Sequence, residues 1–492
     1  MRHLHLLPLL LTTSSLAADP PAADPYPPVE QVAEAIHRAA AFYRSNLSFA
    51  GGYAVRWKRD LSQVFTSDVS GTSVISIESP GTPHIGMAYV RAYRVTGDAL
   101  YLQGAREVAQ VLRWTQLSSG GWETYHDFSL PWARKQHYRR DLLAGDAEPG
   151  NRFSRTSLDD GKTQGALLFL LEFMSLPECQ EDGPTREALQ FALDALLAAQ
   201  APNGGFPQQF SGPADAKAAV IAPTLPKDWP HTWPAVDYTS FYTINDGNLR
   251  SLGRVLQRAH QLTGEARYLE ALKRLGDFLI LAQCPDPQPG WAQQYNAEMQ
   301  PVWARKFEPP AISSAETLSA LETLNDIWLV TGEEKYRAPF AKALEWLEGR
   351  RLPDGQYARF YELHTNQPLY FVKDSYELTY DDSNMPTHYG FKLDDLQEDI
   401  DKFKERQQLS REEQLKKLQD PATPREWLSK AKGAAKKTVT ALKNQNKEGV
   451  WTDDNEYDAR AFLKHVNAMI QYLEAAQKSG DLFDRFKAGE KL

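Results

Sequence analysis

Two short stretches of this 492-residue chain place oxygen-bearing side chains directly in front of an apolar helical run. One reads Phe241-Tyr242-Thr243-Ile244-Asn245-Asp246-Gly247-Asn248-Leu249, the other Ser157-Leu158-Asp159-Asp160-Gly161. After the first, Leu249, Leu252, Val255, Leu256, Ala259 and Leu262 recur at the spacing of one buried helical face, which predicts a helix over 249–263. After the second, Gly165 to Met174 forms a similar run. A lone Asn or Asp at such a place commonly does no more than cap free backbone N–H groups. Two Asx-Asp-Gly copies in one chain fit a different arrangement, a shared acidic rim.

Four further stretches carry groups able to bind or move protons. Asn203-Gly204-Gly205-Phe206-Pro207-Gln208-Gln209 offers amides around an aromatic ring, and Trp303-Ala304-Arg305-Lys306-Phe307-Glu308-Pro309-Pro310 sets two cations and an acid before a helix expected near Ser313. Phe360 to Pro368, containing His364 and Asn366, leads into Val372-Lys373-Asp374; Tyr380-Asp381-Asp382 gives a third acidic pair, ahead of His388 and Tyr389. No histidines stand at metal-ligand spacing, which argues against zinc. The only cysteines, Cys179 and Cys284, exclude a cysteine-ligated cluster and leave either a disulfide or two inert thiols open.

The elements that must position these groups repeat. Thr96-Gly97-Asp98 with Tyr101, Thr263-Gly264-Glu265 with Tyr268, and Thr331-Gly332-Glu333 with Tyr336 each read as a helix stop, an acid in the next first turn and a tyrosine packing back. Gln116 precedes Gly120-Gly121-Trp122, Gln200 precedes Gly204-Gly205-Phe206, and Gln283 precedes Gly290-Trp291; Gly355-Gln356-Tyr357 and Gly449-Val450-Trp451 continue the series. Repeated supersecondary units of this size stack. The expected fold is all-α, an α/α toroid of helical hairpins (six-hairpin-like) with a few short strands at its mouth, over 73–77, 359–363 and 369–372; an open α-solenoid is the alternative. Helices are also expected over 29–46 and 461–476.

Residues 1–18 read as a secretory signal peptide and 19–28 as a Pro-rich linker, so a secreted or periplasmic protein is expected. Residues 29–480 then form one toroid domain, with 393–445, dense in charge, as a helical insertion on its surface. The net charge of −9 argues against nucleic acid or an anionic membrane as partner, and a monomer is expected.

The Asn-Gly-Gly-aromatic-Pro-Gln loop, Thr-Ile-Asn-Asp-Gly, Ala-Arg-Lys-Phe-Glu-Pro-Pro and Thr-Asn-Gln-Pro-Leu-Tyr, in this order over about 196–393, resemble polysaccharide lyase family ten, the pectic acid lyases. The resemblance implies an α/α toroid that cleaves polygalacturonate by calcium-assisted β-elimination, with an arginine as base. It points to Asp246, Asn245, Asp160 and Asp159 as calcium ligands and to Lys373 and Arg305 as catalytic candidates. Phe206, Gln208, Lys306, Glu308, Trp291, Asn366 and Tyr380 become substrate contacts. Two positions depart from the family pattern: Asn245-Asp246 stands where Asp-Asn is usual, and Lys373-Asp374 where Arg-Asp is usual. An inverting glycoside hydrolase on the same kind of toroid, using Asp160, Asp246 and Asp381, is the alternative enzyme. A non-catalytic carbohydrate-binding toroid is a third possibility.

Overall fold

The computed structural model describes residues 25–491; the signal segment expected at 1–18 and most of the 19–28 linker lie outside the described residues. Helices alternate between an outer and an inner position. Outer helix α1 (Val29–Phe42) leads to inner α2 (Thr82–Thr96), and α3 (Ala99–Thr115) leads through the short α4 (Leu130–Ala133) and α5 (Arg139–Leu143) to α6 (Lys162–Met174). The pairs α7 (Gly183–Ala199) with α8 (Asn248–Thr263) and α9 (Ala266–Leu281) with α10 (Ser314–Thr331) follow. The fifth pair is α11 (Phe340–Glu348) with α12 (Leu396–Gln407) and α13 (Arg411–Leu418); the sixth is α14 (Pro424–Asn444) with α15 (Ala459–Lys478), and α16 (Asp481–Lys487) ends the chain.

The inner members pack on one another in order, α2 on α6, α6 on α8, α8 on α10, and α10 on α12 and α13. α15 returns to pack on α1 and α2, and strand Glu456–Asp458 pairs antiparallel with Arg56–Lys58, so the two ends of the chain meet. The fold is therefore an α/α toroid of six hairpins. Among the described residues no helix is long and apolar enough to cross a membrane.

The repeated Thr-Gly-acid sequence is a helix stop with a defined mechanism. Gly97, Gly264 and Gly332 take left-handed backbone (φ 69°, 72° and 72°) at the C-caps of α2, α8 and α10. The preceding threonine hydroxyl donates back to the carbonyl of Ala92, Ala259 or Ile327 and accepts the N–H of the following acid. Tyr101, Tyr268 and Tyr336 then bury completely against the previous helix.

The glutamine that follows four of the outer helices, α3, α7, α9 and α14, has a second job. Gln116 Nε2 donates to Gly120 O of its own loop and to Ala188 O of the next outer helix, at 2.8 and 2.9 Å. Gln200 repeats this with Gly204 O and Ala271 O, and Gln283 with Pro289 O and Pro339 O. Gln445 donates to Gly449 O and to Ala35 O of α1, closing the outer ring across the chain ends. The loops lie so close to the neighbouring helix that a Cβ on Gly204 would sit 2.0 Å from Arg274 O, which leaves room for glycine alone.

Residues 393–445 are not a surface insertion. α12 buries Ile400 and Phe403, α14 buries Trp427, Leu428 and Ala431, and α14 carries the last outer position of the ring. Charge density hid this because α12 and α14 each bury only one apolar face. Strands form at Val74–Ser76, Phe360–Glu362 and Pro368–Phe371, close to expectation, but among the described residues fourteen more of two or three residues flank the loops. Cys179 and Cys284 are buried and unpaired.

Candidate active site

Each outer helix delivers its loop to the N-terminal end of an inner helix. Gly121 packs on Thr163 at the start of α6, and Gly290 packs on Thr317 at the start of α10. Trp122 N–H donates to the Thr163 hydroxyl and Trp291 N–H to the Thr317 hydroxyl. The short pairings Thr156–Ser157 with Gln209–Phe210, and Tyr242–Thr243 with Gln294–Tyr295, then set neighbouring hairpins side by side. This brings the two Asx-Asp-Gly turns into contact.

Both turns have the same shape. Asp159–Gly161 and Asn245–Gly247 form single 3-10 turns, and their central residues, Asp160 (φ 48°, ψ 26°) and Asp246 (φ 54°, ψ 24°), adopt left-handed backbone. Neither aspartate caps its helix, since no side chain accepts from the first-turn N–H groups of α6 or α8. A non-glycine residue in this conformation costs on the order of 1 kcal/mol and concentrates at functional sites. Here the conformation aims the carboxylates at one another. Asp159, Asp160 and Asp246 each offer an oxygen, and these oxygens lie within 4.8 Å of one another.

Lys162, the first residue of α6, is buried among them, 3.3 Å from Asp159 and 3.9 Å from Asp160. Burial pulls its pKa down, but Asp159, Asp160, Glu78 and Glu123 together hold it above the ordinary value, so it stays charged. Asp246 is pushed up to about 7 by crowding in the recess, then by Glu316, Asp160 and Asp159, although its carboxylate still reaches solvent. Asp160 and Glu123 are raised mainly by burial as well. Asp159 Oδ1 is shielded from solvent and has no hydrogen-bond partner. An orphaned carboxylate oxygen beside two more carboxylates, one of them holding its proton to near neutrality, is a donor set that fits a hard divalent cation.

Arg305 faces this acidic cluster and lowers the pKa of both Asp160 and Asp246. Its Nε and Nη2 donate to the two oxygens of buried Glu308 at 2.9 and 2.5 Å, and the Phe307 and Tyr389 rings lie 5.0 and 5.9 Å from its guanidinium carbon. Burial lowers the Arg305 pKa and the Glu308 pair raises it by more, so the guanidinium is held in the charged form.

The remaining expected residues divide. Asn245 is buried and donates to Asp246 Oδ2 at 2.8 Å, positioning that carboxylate. Gln208 is buried with its Oε1 unpartnered, its carbonyl held by Leu158 N–H. Lys306 is exposed, its ammonium 3.7 Å from the Tyr376 ring centre, and Lys373 is exposed in the turn after strand Pro368–Phe371. Tyr380 is largely exposed and donates to Glu362. Phe206 and Trp291, expected as sugar contacts, are 1% and 0% exposed. They are core residues, and the Trp291 indole N–H is spent on Leu279 O, so neither ring offers a face to a ligand. Asn366 Oδ1 is likewise taken by Gln288 and Trp346.

Sequence reasoning missed Lys162, Glu316, Glu123 and Arg359. Aligning the helix starts would have found two of them: Lys162 and Glu316 each precede the threonine that accepts from the loop tryptophan, and both are buried. Glu316 in turn lies 3.6 Å from Arg359, whose guanidinium stacks over Tyr389. A separate recess of about 580 Å³, with Arg155 and Asp237 in its lining, contains none of the clustered acids.

Residues 126–326 match the model of the pectic acid lyase family. No curated protein matches the chain. Among solved structures, a mutant family 10 polysaccharide lyase from Cellvibrio cellulosa in complex with trigalaturonic acid is 17% identical, with TM-score 0.44 over 65% of this chain and 98% of that one. A family 76 glycoside hydrolase (mannosidase) from Bacteroides thetaiotaomicron is 10% identical, with TM-score 0.42 over 92% of this chain and 100% of that one. A cellobiose 2-epimerase from Bacillus thermoamylovorans is 14% identical, with TM-score 0.41 over 68% of this chain and 76% of that one. None of the three is close enough to carry a substrate or a residue's role to this chain. The family match spans the segment that builds both aspartate turns and the Arg305–Glu308 pair, and over those residues the chain carries the sequence pattern of the pectic acid lyases.

Proposed function

We propose that this protein is a polysaccharide lyase that cleaves polygalacturonate-type uronate chains by calcium-assisted β-elimination. The observation that carries the reading is the convergence of Asp159, Asp160 and Asp246 opposite a charge-locked Arg305, inside the segment that matches the pectic acid lyases.

Elimination from a uronate requires loss of the C5 proton, stabilisation of the negative charge that develops on the C6 carboxylate, and departure of the C4 oxygen. A calcium ion held by Asp159, Asp160 and Asp246 would supply Lewis-acid stabilisation of that carboxylate. Arg305 binds the same group electrostatically. Pinned by Glu308, it presents a fixed guanidinium to that carboxylate, which suits it to the role of clamp. The base role falls to Lys373, at the position where the family pattern carries an arginine. Asn245 holds the orientation of Asp246.

The test is the ultraviolet absorbance of the unsaturated sugar that only elimination makes. Polygalacturonate should give a rising signal that a chelator abolishes and added calcium restores. Reducing ends appearing without absorbance would instead support hydrolysis, in which Asp246, its carboxyl pushed up to about 7 by burial and the neighbouring acids, would serve as the general acid.

A further inference from the structure

Residues 211–240 form a long connection, rich in proline, between strand Gln209–Phe210 and strand Tyr242–Thr243. Its second half carries Trp229-Pro230-His231-Thr232-Trp233, aromatic groups that the site described above does not use. This segment is fixed in place. Trp233 Nε1 donates to Ala304 O at 2.8 Å, Trp303 Nε1 donates to Pro230 O at 2.6 Å, and the His364 ring bonds Pro226 O at 3.0 Å. The Trp229 ring stacks on His231 with centroids 4.2 Å apart and planes within 16°. Its neighbours reach the site: Ala304 adjoins Arg305, and Tyr238 lies in the fields of Arg305, Glu308, Asp159 and Lys162.

Between the segment and residues 300–310 lies an open recess of about 190 Å³, walled by Pro226, Trp229, Pro234, Val236, Phe241 and Trp303. Among the described residues, the one ionisable group in its lining is Asp228, and no cation lines it. Val236, in its lining, remains 37% exposed. Apolar ring faces suit the C–H face of a pyranose, but a free uronate carboxylate here would lose water, find no cation and meet Asp228. An uncharged ring meets none of these penalties, and a site that penalises the charged ring discriminates between the two.

We propose that Trp229 and the recess it lines form a subsite for a methyl-esterified uronate residue of the chain whose cleavage occurs at the acidic cluster. The inference rests on the reading of the protein as a polysaccharide lyase. Its place next to Arg305 makes it continuous with the cleavage site, so one polysaccharide chain would lie across both. The enzyme would then cut beside a free uronate while holding an esterified neighbour.

Isothermal titration calorimetry with a methyl-esterified oligogalacturonate and with its de-esterified counterpart tests this on the full chain. Trp229→Ala should weaken binding of the esterified oligomer about tenfold, the worth of one aromatic contact, and leave the de-esterified oligomer within about twofold. Val236→Asp, on the exposed rim, should give the same selective loss and decides the matter if Trp229→Ala does not fold. Equal losses on both oligomers, or no loss on either, would overturn the subsite. The lyase reading fails by a different signal: selective binding with no ultraviolet-absorbing product from either substrate would sink it and leave the subsite standing.

Discussion

At the scale of single residues, the site is an electrostatic contest over three carboxylates. Lys162 already neutralises Asp159 and Asp160, so a divalent cation must displace or share an internal ammonium. Lys162→Met should therefore raise calcium affinity in calorimetry while lowering the stability of the calcium-free protein, because like charges then face one another uncompensated. Asp246→Ala should abolish activity and the calcium-induced rise in melting temperature, which for the parent protein corresponds to about 2.7 kcal/mol at a hundredfold excess over Kd. The proton on Asp246 sets the pH dependence. With a folded pKa of about 7 it competes with the cation, so calcium affinity should fall as pH drops below about 7 and Asp246→Asn should flatten that limb. Without calcium the sign reverses. A raised carboxyl pKa means that the folded chain keeps a proton the unfolded chain releases, so stability falls as pH rises from the ordinary carboxylate range to about 7 and is level above it. Lys373→Ala should lower kcat by about a hundredfold or more with KM little changed, as for loss of a general base. Arg305→Ala should raise KM as well, because a clamp also holds the ground state. A wild-type kcat in Lys373→Ala would move the base elsewhere.

At the scale of elements, the ring is held by one hydrogen-bonding device used four times. Each glutamine, Gln116, Gln200, Gln283 and Gln445, ties its own loop and the next outer helix with one amide. Gln200→Ala would orphan Gly204 O and Ala271 O and should cost about 1–3 kcal/mol in chemical denaturation. Three of these glutamines, Gln116, Gln200 and Gln283, were visible in the sequence as a recurrent residue before Gly-aromatic loops. The helix stops were legible because Thr-Gly-acid carries its own hydrogen bonds. What the sequence hid is instructive. Phe206 and Trp291 look like sugar platforms because an aromatic beside two glycines reads the same whether its ring points out or in. The structure turns both inward, where the indole of Trp291 finds a backbone carbonyl. Lys162 was overlooked because a lysine after Asp-Asp-Gly normally points to water, and only the meeting of two hairpins buries it. The role of 393–445 was hidden by charge, since a helix with one buried stripe and three wet faces is mostly charged in composition.

At the scale of the whole molecule, closure decides what the mouth can do. Six outer helices feed loops to the N-terminal ends of the inner helices, so the positive ends of the inner helix dipoles and the clustered acids share one face. The two aspartate turns sit on α6 and α8, whose outer partners α3 and α7 are joined by the Gln116 seam. The chain ends meet elsewhere on the ring, where Gln445 binds α1 and α15 packs on α2. These seams should separate experimentally. Gln445→Ala weakens the closure away from the acids, so it should lower stability by about 1–3 kcal/mol while leaving calcium affinity unchanged. Gln116→Ala weakens the seam that registers α3 against α7, and with it the pairing of Thr156–Ser157 with Gln209–Phe210 that brings Asp160 to Asp246, so it should lower both stability and calcium affinity. Deleting residues 446–491 removes α15, strips cover from the apolar faces of α1 and α2, and should replace a single cooperative unfolding transition with a broad one that binds apolar dyes before heating. A truncated chain that still unfolds in one sharp step would show that five hairpins hold the core alone, and that closure serves the mouth and not the fold.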